Sequence, residues 1–405
     1  MTTVAWDVAA LRAEFPILGT TSRGKPLVYL DNGATTQKPR VVIDAITRFY
    51  ASGNANIHRG VYQLSEQATL AWDAARHTVA QFLGGVPDEE IVFVRGTTEA
   101  VNLVAQSFVR PTLRAGDRVL VTTMEHHANI VPWQLVGATT VPIPITPEGE
   151  LDLTAAERLL ATRPRLLAVV HVSNALGSIN PIAELCRMAQ AFGVPVLVDG
   201  AQAVSHFPVD VHALGCDFYC FSGHKLFGPT GIGVLWAKRE HLERMPPAQG
   251  GGDMIDQVTF AQTTFAPSPQ KFEAGTPHIA GAIGLAAAID WLESQDREAL
   301  HAHEAALLAA GTTALQTVPG LRLVGTAAAK VGILTFTMDG IHPHDIASLL
   351  DGEGVCIRAG HHCTQPLHQY LGVAATARAS LAPYNTLADI ETLTAALESA
   401  RRIFG

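Results

Sequence analysis

Basic residues are scarce for a chain of this size: 28 Lys and Arg stand against 37 Asp and Glu, a formal net charge of −9. Affinity for a phosphate backbone comes from clustered Lys and Arg, so a nucleic-acid binder is not indicated, and polyanionic partners are disfavoured on the same ground. No apolar run approaches the length of a bilayer span, and the start, MTTVAWDVAALRAEFPIL, has no basic stretch ahead of its apolar residues. Neither a membrane helix nor a secretory leader is read, and a cytoplasmic location is the default expectation. Cysteine is sparse as well. The five, at positions 186, 216, 220, 356 and 363, are odd in number, scattered and without a C-x-x-C pair. That pattern indicates neither a disulfide framework nor a zinc ribbon, and most of them read as small buried hydrophobes. No internal repeat and no low-complexity tract is present.

What is present has the composition of an ordered soluble protein, 48% hydrophobic and 16% charged, which argues against disorder. At 405 residues the chain is too long for one compact core and suits two domains. Five continuous apolar runs, IVFV (91–94), RVLVTT (118–123), LLAVVHV (166–172), VPVLVDG (194–200) and DFYCFS (217–222), lack polar alternation. Strands buried on both faces of a parallel sheet read this way. After Gly96, the spacing of Val101, Val104, Ala105 and Phe108 predicts a helix. The fold class expected is α/β, a mostly parallel sheet flanked by helices, followed by a smaller α+β C-terminal domain. Its elements are a strand in VGILTFTM (331–338), a helix in HDIASLLDGEG (344–354), a short strand and a closing helix. The stretch from Pro246 to Gly275 reads as a long irregular loop, which is usually functional, with a helix beginning near Ile279. The boundaries expected are an N-terminal segment 1–20 packing on the small domain, a large domain 21–295 and a small domain 296–405.

Ligands of open α/β sheets sit at the carboxyl ends of the strands, so the polar residues after each apolar run are the candidates. IVFV is followed by Arg95-Gly96-Thr97-Thr98-Glu99, a glycine turn opening a helix; it can hold a phosphate, although taken alone plain N-capping by Thr97 is the simpler reading. RVLVTT leads to Met124-Glu125-His126-His127, where an imidazole lying on a cofactor ring competes with a capped turn. No metal is expected there, because neighbouring side chains on an extended segment point apart. Asp199 ends a strand so apolar that its carboxylate should face a cation; a surface turn is the alternative. Lys225, among glycines and apolar residues in Ser222-Gly223-His224-Lys225, is a candidate Schiff-base amine, since desolvation frees the nucleophile. Cys363 lies in Arg358-Ala359-Gly360-His361-His362-Cys363-Thr364, which reads as a mobile loop; a buried structural thiol and a His-His-Cys metal site are the competing readings.

The segments YLDNGATTQKP, NIHRGVYQLS, GTTEAVNLVA, MEHHANIVPW, HVSNALGS, VDGAQAV, SGHKLFGPTG, FEAGTP and RAGHHCTQPLH, in this order, resemble the motifs of cysteine desulfurases of the SufS type. That family lies in the class V aminotransferase superfamily, whose members are pyridoxal-phosphate-dependent enzymes of fold type I. The resemblance implies that Lys225 holds pyridoxal 5'-phosphate, Asp199 pairs with its ring nitrogen, and His126 stacks on its face. It implies that Asn174 and Gln202 reach the phenolic oxygen, and that Thr97, Thr98, Ser222 and His224 grip the phosphate. Thr276 would come from the neighbouring subunit of a homodimer. Arg378 would take the substrate carboxylate, with Asn174 and Arg358 also on the substrate, and Cys363 would carry sulfur from L-cysteine as a persulfide while L-alanine leaves. An acceptor protein of the SufE or SufU kind, feeding iron–sulfur cluster assembly, is the partner implied. His342 and His344 are weighed as a contact for such an acceptor against a solvated turn. Selenocysteine lyase activity, another class V transaminase or lyase, and a non-enzymatic scaffold remain the alternatives.

Overall fold

The structure, a computed structural model, describes residues 7–58 and 60–404. The first six residues of the segment expected at 1–20, and Arg59 within NIHRGVYQLS, lie outside the described residues.

The five apolar runs all become strands of one seven-stranded sheet: β1 (Ile91–Val94), β2 (Arg118–Thr122), β3 (Thr139–Ile143), β4 (Leu166–Val170), β5 (Val196–Asp199), β6 (Phe218–Ser222) and β7 (Gly233–Ala237). The order across the sheet is β1-β7-β6-β5-β4-β2-β3. Contacts among β2 to β6 are parallel, whereas β7 runs antiparallel to both β1 and β6. Every residue of β1, β4, β5, β6 and β7 is buried, which is why these strands show no polar alternation. At about 1.5–3 kcal/mol for each buried Val, Leu or Ile, such strands hold their carboxyl ends firmly against the cost of grouping charges there. Two strands had no prediction. β3 is at the edge, half-exposed and interrupted by Pro142, so it lacks the buried-strand signature. β7 has that signature but follows a glycine-rich turn that reads as loop.

Helices α1 (Gln63–Phe82), α2 (Thr97–Val104) and, after the sheet, α3 (Ile279–Glu293) cover both faces, while α4 (Arg297–Thr317) packs on a second sheet and the closing helix of the chain. The stretch from Pro246 to Gly275 is not wholly irregular. It contains a two-stranded hairpin, Ile255–Val258 paired with Thr263–Phe265, whose exposed residues hide it from a burial-based reading. Beyond it, β8 (Leu321–Val324), β9 (Ile333–Met338), β10 (Arg358–Gly360) and β11 (Thr376–Ser380) form a second, antiparallel sheet in the order β8-β9-β11-β10. It packs its own apolar cluster against α5 (Pro343–Gly352) and the closing helix α7 (Leu387–Phe404), with α6 (Gln365–Leu371) between β10 and β11.

A short N-terminal helix, Val8–Ala13, touches both parts. Arg12 pairs with Asp389 at 3.2 Å and donates to the Tyr384 carbonyl, while the Phe15 ring packs against Phe227, Trp291 and Tyr384. Among the described residues, no helix is long and apolar enough to cross a membrane.

Candidate active site

Carboxyl ends of the parallel strands, the loop after β10 and the buried strand β11 converge on one cavity of about 160 Å³. Every residue to which the sequence assigns a cofactor, substrate or catalytic role lines it except Thr276. Lys225, Asp199, Arg378 and Cys363, separated by up to 179 positions in the chain, therefore open onto the same space. Thr276 lines the adjoining open hollow of about 960 Å³, together with Thr97, Ser222 and His224.

At one end, Gly96 (φ 155°) turns the chain from β1 into α2, and Thr97 opens the helix. Its N–H donates to Ser222 Oγ at 2.8 Å, and the two hydroxyls lie 2.9 Å apart. Thr97 therefore does not cap its own helix. A Cβ on Gly96 would come within 3.1 Å of Ser222 Oγ, so a side chain there would crowd this polar corner. Hydroxyls and a helix N-terminus facing a hollow suit a phosphate ester.

In the middle, Asp199 is 3% exposed and accepts the Ala201 N–H at 2.9 Å. Burial raises its pKa, opposed by that hydrogen bond and by Lys225. Burial pushes Lys225 down to about 8, with Asp199 pulling the other way and Arg378 and Arg358 adding to the fall. A lysine so placed holds an appreciable fraction of free amine near neutrality. His126 is pushed down to about 3 by burial and by Lys225, and its Nδ1 accepts the Ala128 N–H at 3.0 Å. The neutral ring thus carries its proton on Nε2. Gln202 donates to the Gly33 carbonyl at 2.7 Å, and His224, pushed down to about 4, sits beside Lys225.

At the other end, Arg378 is 1% exposed on a fully buried strand, with Arg358 its register partner on β10. Its Nη1 donates to the Asn174 carbonyl at 2.6 Å and its Nη2 to Asp31 at 3.0 Å, while Nε has no partner. A guanidinium pinned on two sides with a spare N–H is preorganised for a carboxylate. Asn174 donates its amide N–H to the His362 carbonyl at 2.7 Å and leaves Oδ1 unpartnered.

The Cys363 loop is short and anchored. His362 (φ 50°) and Cys363 (φ 58°) are consecutive left-handed non-glycine residues, a conformation that costs energy and persists only where surroundings impose it. The anchors are Asn174 on the His362 carbonyl, the His127 N–H on the Cys363 carbonyl at 2.8 Å, and the Gln365 N–H donating to His127 Nε2 at 3.0 Å. His127 and Glu125 were not singled out from sequence. Glu125, fully buried, accepts from Thr122 Oγ1, Asn129 and the Val170 N–H at 2.7–2.8 Å and braces the turn that carries His126. Burial pushes it up to about 7. A carboxylate directly after an apolar strand, the signal used for Asp199, was available for it too. His342 and His344 face each other across the start of α5, where His342 Nδ1 accepts the His344 N–H, and neither lines the cavity.

A buried acid, an amine of lowered pKa and a polar anion corner in one cavity fit the ring nitrogen, aldehyde and phosphate of pyridoxal phosphate. The sequence profile of the Aminotransferase class-V family matches residues 28–393. A probable cysteine desulfurase of Xylella fastidiosa is 51% identical over 98% of this chain and 97% of its own length. One from Vibrio cholerae is 49% identical over 97% and 98% respectively. Among solved structures, the cysteine desulfurase CsdA (S-sulfonic acid) of Escherichia coli superposes with a TM-score of 0.91 at 41% identity, covering 99% of this chain and 100% of that one. The apo cysteine desulfurase of Thermococcus onnurineus gives 0.91 at 37% identity, covering 96% and 97%.

Proposed function

The chain belongs to the class V aminotransferase family and its cysteine desulfurases, and is a pyridoxal-phosphate-dependent enzyme; from that premise we propose that it moves sulfur from L-cysteine to its own Cys363 and releases L-alanine. The observation that carries the residue assignment is the single cavity shared by Lys225, Asp199, Arg378 and Cys363.

When bound, the cofactor supplies an electrophilic carbon and an electron-accepting ring. Lys225 would tether it, Asp199 would keep its ring nitrogen protonated, and His126 would cover its face. Asn174 and Gln202 would reach its phenolic oxygen, while Thr97, Thr98, Ser222 and His224 would hold its phosphate. Arg378, with Asn174 and Arg358, orients the substrate carboxylate and so fixes the Cα–H and the sulfur relative to the protein. Lys225, whose pKa burial lowers, would take the Cα proton. Cys363 as thiolate attacks the substrate sulfur: an S–S bond forms, the Cβ–S bond breaks, and the electron pair remains with the three-carbon fragment, which is protonated to alanine. The outer sulfur stays on Cys363 as a persulfide. Holding thiol and substrate in one site makes the encounter intramolecular, worth several kcal/mol.

The reading extends to a SufS-type enzyme that hands its persulfide to an acceptor of the SufE or SufU kind for iron–sulfur assembly, supported by the partial exposure of Cys363 on a surface-facing turn. A homodimer, with Thr276 reaching the partner's phosphate corner, is supported by the open hollow beside that corner and by the exposed Val61, Tyr62, Val258 and Phe260. Largely distinct apolar clusters support large and small domains at 21–295 and 296–405, and the described residues 7–20 of the segment 1–20 pack on both.

Mass spectrometry after incubation with L-cysteine tests the core of this: one added sulfur on the peptide containing Cys363, and loss of alanine release in Cys363→Ala, are expected. Undiminished alanine release by that variant would overturn the persulfide role.

A further inference from the structure

Behind the thiol loop lies a file of hydrogen bonds that the steps above do not use. His362, His368 and Thr376 are all buried, and Thr376 Oγ1 lies 2.8 Å from His362 Nε2 and 3.0 Å from His368 Nε2. A hydroxyl has one proton, so it donates to one of these nitrogens and accepts from the other. The far end of the file decides which. His368 Nδ1 faces the Thr364 carbonyl oxygen at 3.1 Å, which can only accept. It also faces Thr364 Oγ1 at 3.5 Å, whose proton goes to the His361 carbonyl. His368 therefore carries a proton on Nδ1, and burial lowers its pKa, which keeps the ring neutral near pH 7. Its Nε2 is then a lone pair and takes the Thr376 proton. Thr376 Oγ1 accepts in turn from His362 Nε2–H, and His362 Nδ1 is left as a bare acceptor.

That nitrogen is buried with no hydrogen-bond partner, on a ring that lines the cavity immediately before Cys363. Arg378 Nε, the other unpartnered nitrogen there, is a donor. An acceptor and a donor left over at one end of a cavity match a ligand bringing a donor and a carboxylate. Burial, and after it the charges of Arg378 and Arg358, disfavour a cationic His362 ring, so it serves as a hydrogen-bond acceptor and not as a base.

We infer that the file Thr364–His368–Thr376 locks His362 in one tautomer, so that its Nδ1 accepts a hydrogen bond from the thiol of the amino-acid substrate and sets that sulfur beside Cys363. His362 then selects for a thiol, and Thr376 and His368 are positioning residues acting through it. The inference rests on the desulfurase reading for the identity of the ligand, but the tautomer does not.

Two measurements test it. Long-range ¹H–¹⁵N correlation on the histidine-labelled protein is expected to show His368 protonated on Nδ1 and His362 on Nε2; a His362 proton on Nδ1 would overturn the inference without touching the proposed function. In kinetics, His362→Phe keeps the ring volume and removes the acceptor, and should raise KM for L-cysteine severalfold, up to about tenfold, while the inhibition constant of L-alanine, which lacks a thiol, stays unchanged. His362→Asn, with an amide oxygen near the place of Nδ1, should recover most of the loss; Thr376→Val should resemble His362→Phe and Thr376→Ser the parent. Equal rises for cysteine and alanine would mean that the ring only packs, and the inference fails. Absence of alanine release by the parent protein would instead sink the desulfurase reading, with the tautomer result standing apart.

Discussion

Gly33 has no side chain where Arg378 needs the room. A Cβ there would stand 3.1 Å from the guanidinium carbon and Nη2, and that guanidinium has little freedom to yield because Asp31 and the Asn174 carbonyl hold it. Gly33→Ala is therefore expected to leave the fold intact and to raise KM for L-cysteine about tenfold by tilting the fork that receives the carboxylate. Steady-state kinetics beside a thermal melt check it; an unchanged KM would mean that Arg378 does not set the carboxylate. At this scale sequence reading went far: Lys225 and Asp199 were legible from residue type and strand-end position, Cys363 from its loop, and Arg378 through the family resemblance alone. It did not reach His362 or Gly33, because their roles depend on which atoms lie within 4 Å across the fold.

The turn after β2 acts as a unit. Its loop carries His126 to the cavity and uses His127 to hold the thiol loop, and Glu125 secures it by accepting from β2, from β4 and from Asn129. Glu125→Ala strips the acceptor from three buried donors, each costing about 1–3 kcal/mol if left unsatisfied. We expect a destabilisation of at least about 3 kcal/mol in denaturant unfolding; a loss below about 1 kcal/mol would show that the turn holds without its brace. Periodicity made the strands readable because burial on both faces leaves an uninterrupted apolar run. It hid the hairpin Ile255–Val258/Thr263–Phe265, whose residues are mostly exposed and carry no such mark.

Across the whole molecule, acid stability follows from histidines buried in neutral form. His126 is lowered to about 3, His171 and His224 to about 4, and His362 to about 2, all chiefly by burial. The unfolded chain binds these protons near pH 6.5 and the folded protein does not, so their stabilisation is complete above that pH and is lost progressively as pH falls from there through about 4 for His171 and His224 and lower still for His126 and His362. Glu125 works the other way: with its pKa raised to about 7, folding is favoured as it takes up a proton between pH 7 and 4.5. Asp31, Asp199 and Asp290, also raised by burial, act with Glu125, while His127 and His368, lowered by burial, and the lowered carboxyl of Asp217 join the other four histidines, which leaves the histidines dominant. The urea midpoint of the cofactor-free protein should fall steadily from pH 6.5 to 4.5; a midpoint that rises over that window would contradict this balance.

The sequence by itself determined the α/β class, the five apolar strands and the chemical types gathered at their ends, because apolar periodicity and strand-end polarity are local properties written along the chain. Only the tertiary structure decided that β7 turns antiparallel, that Arg378 is pinned with one N–H to spare, and that His362 faces the cavity with a bare nitrogen. Hydrogen-bond direction is settled by counting protons among neighbours such as Thr376 and His368, and those neighbours are brought together by folding.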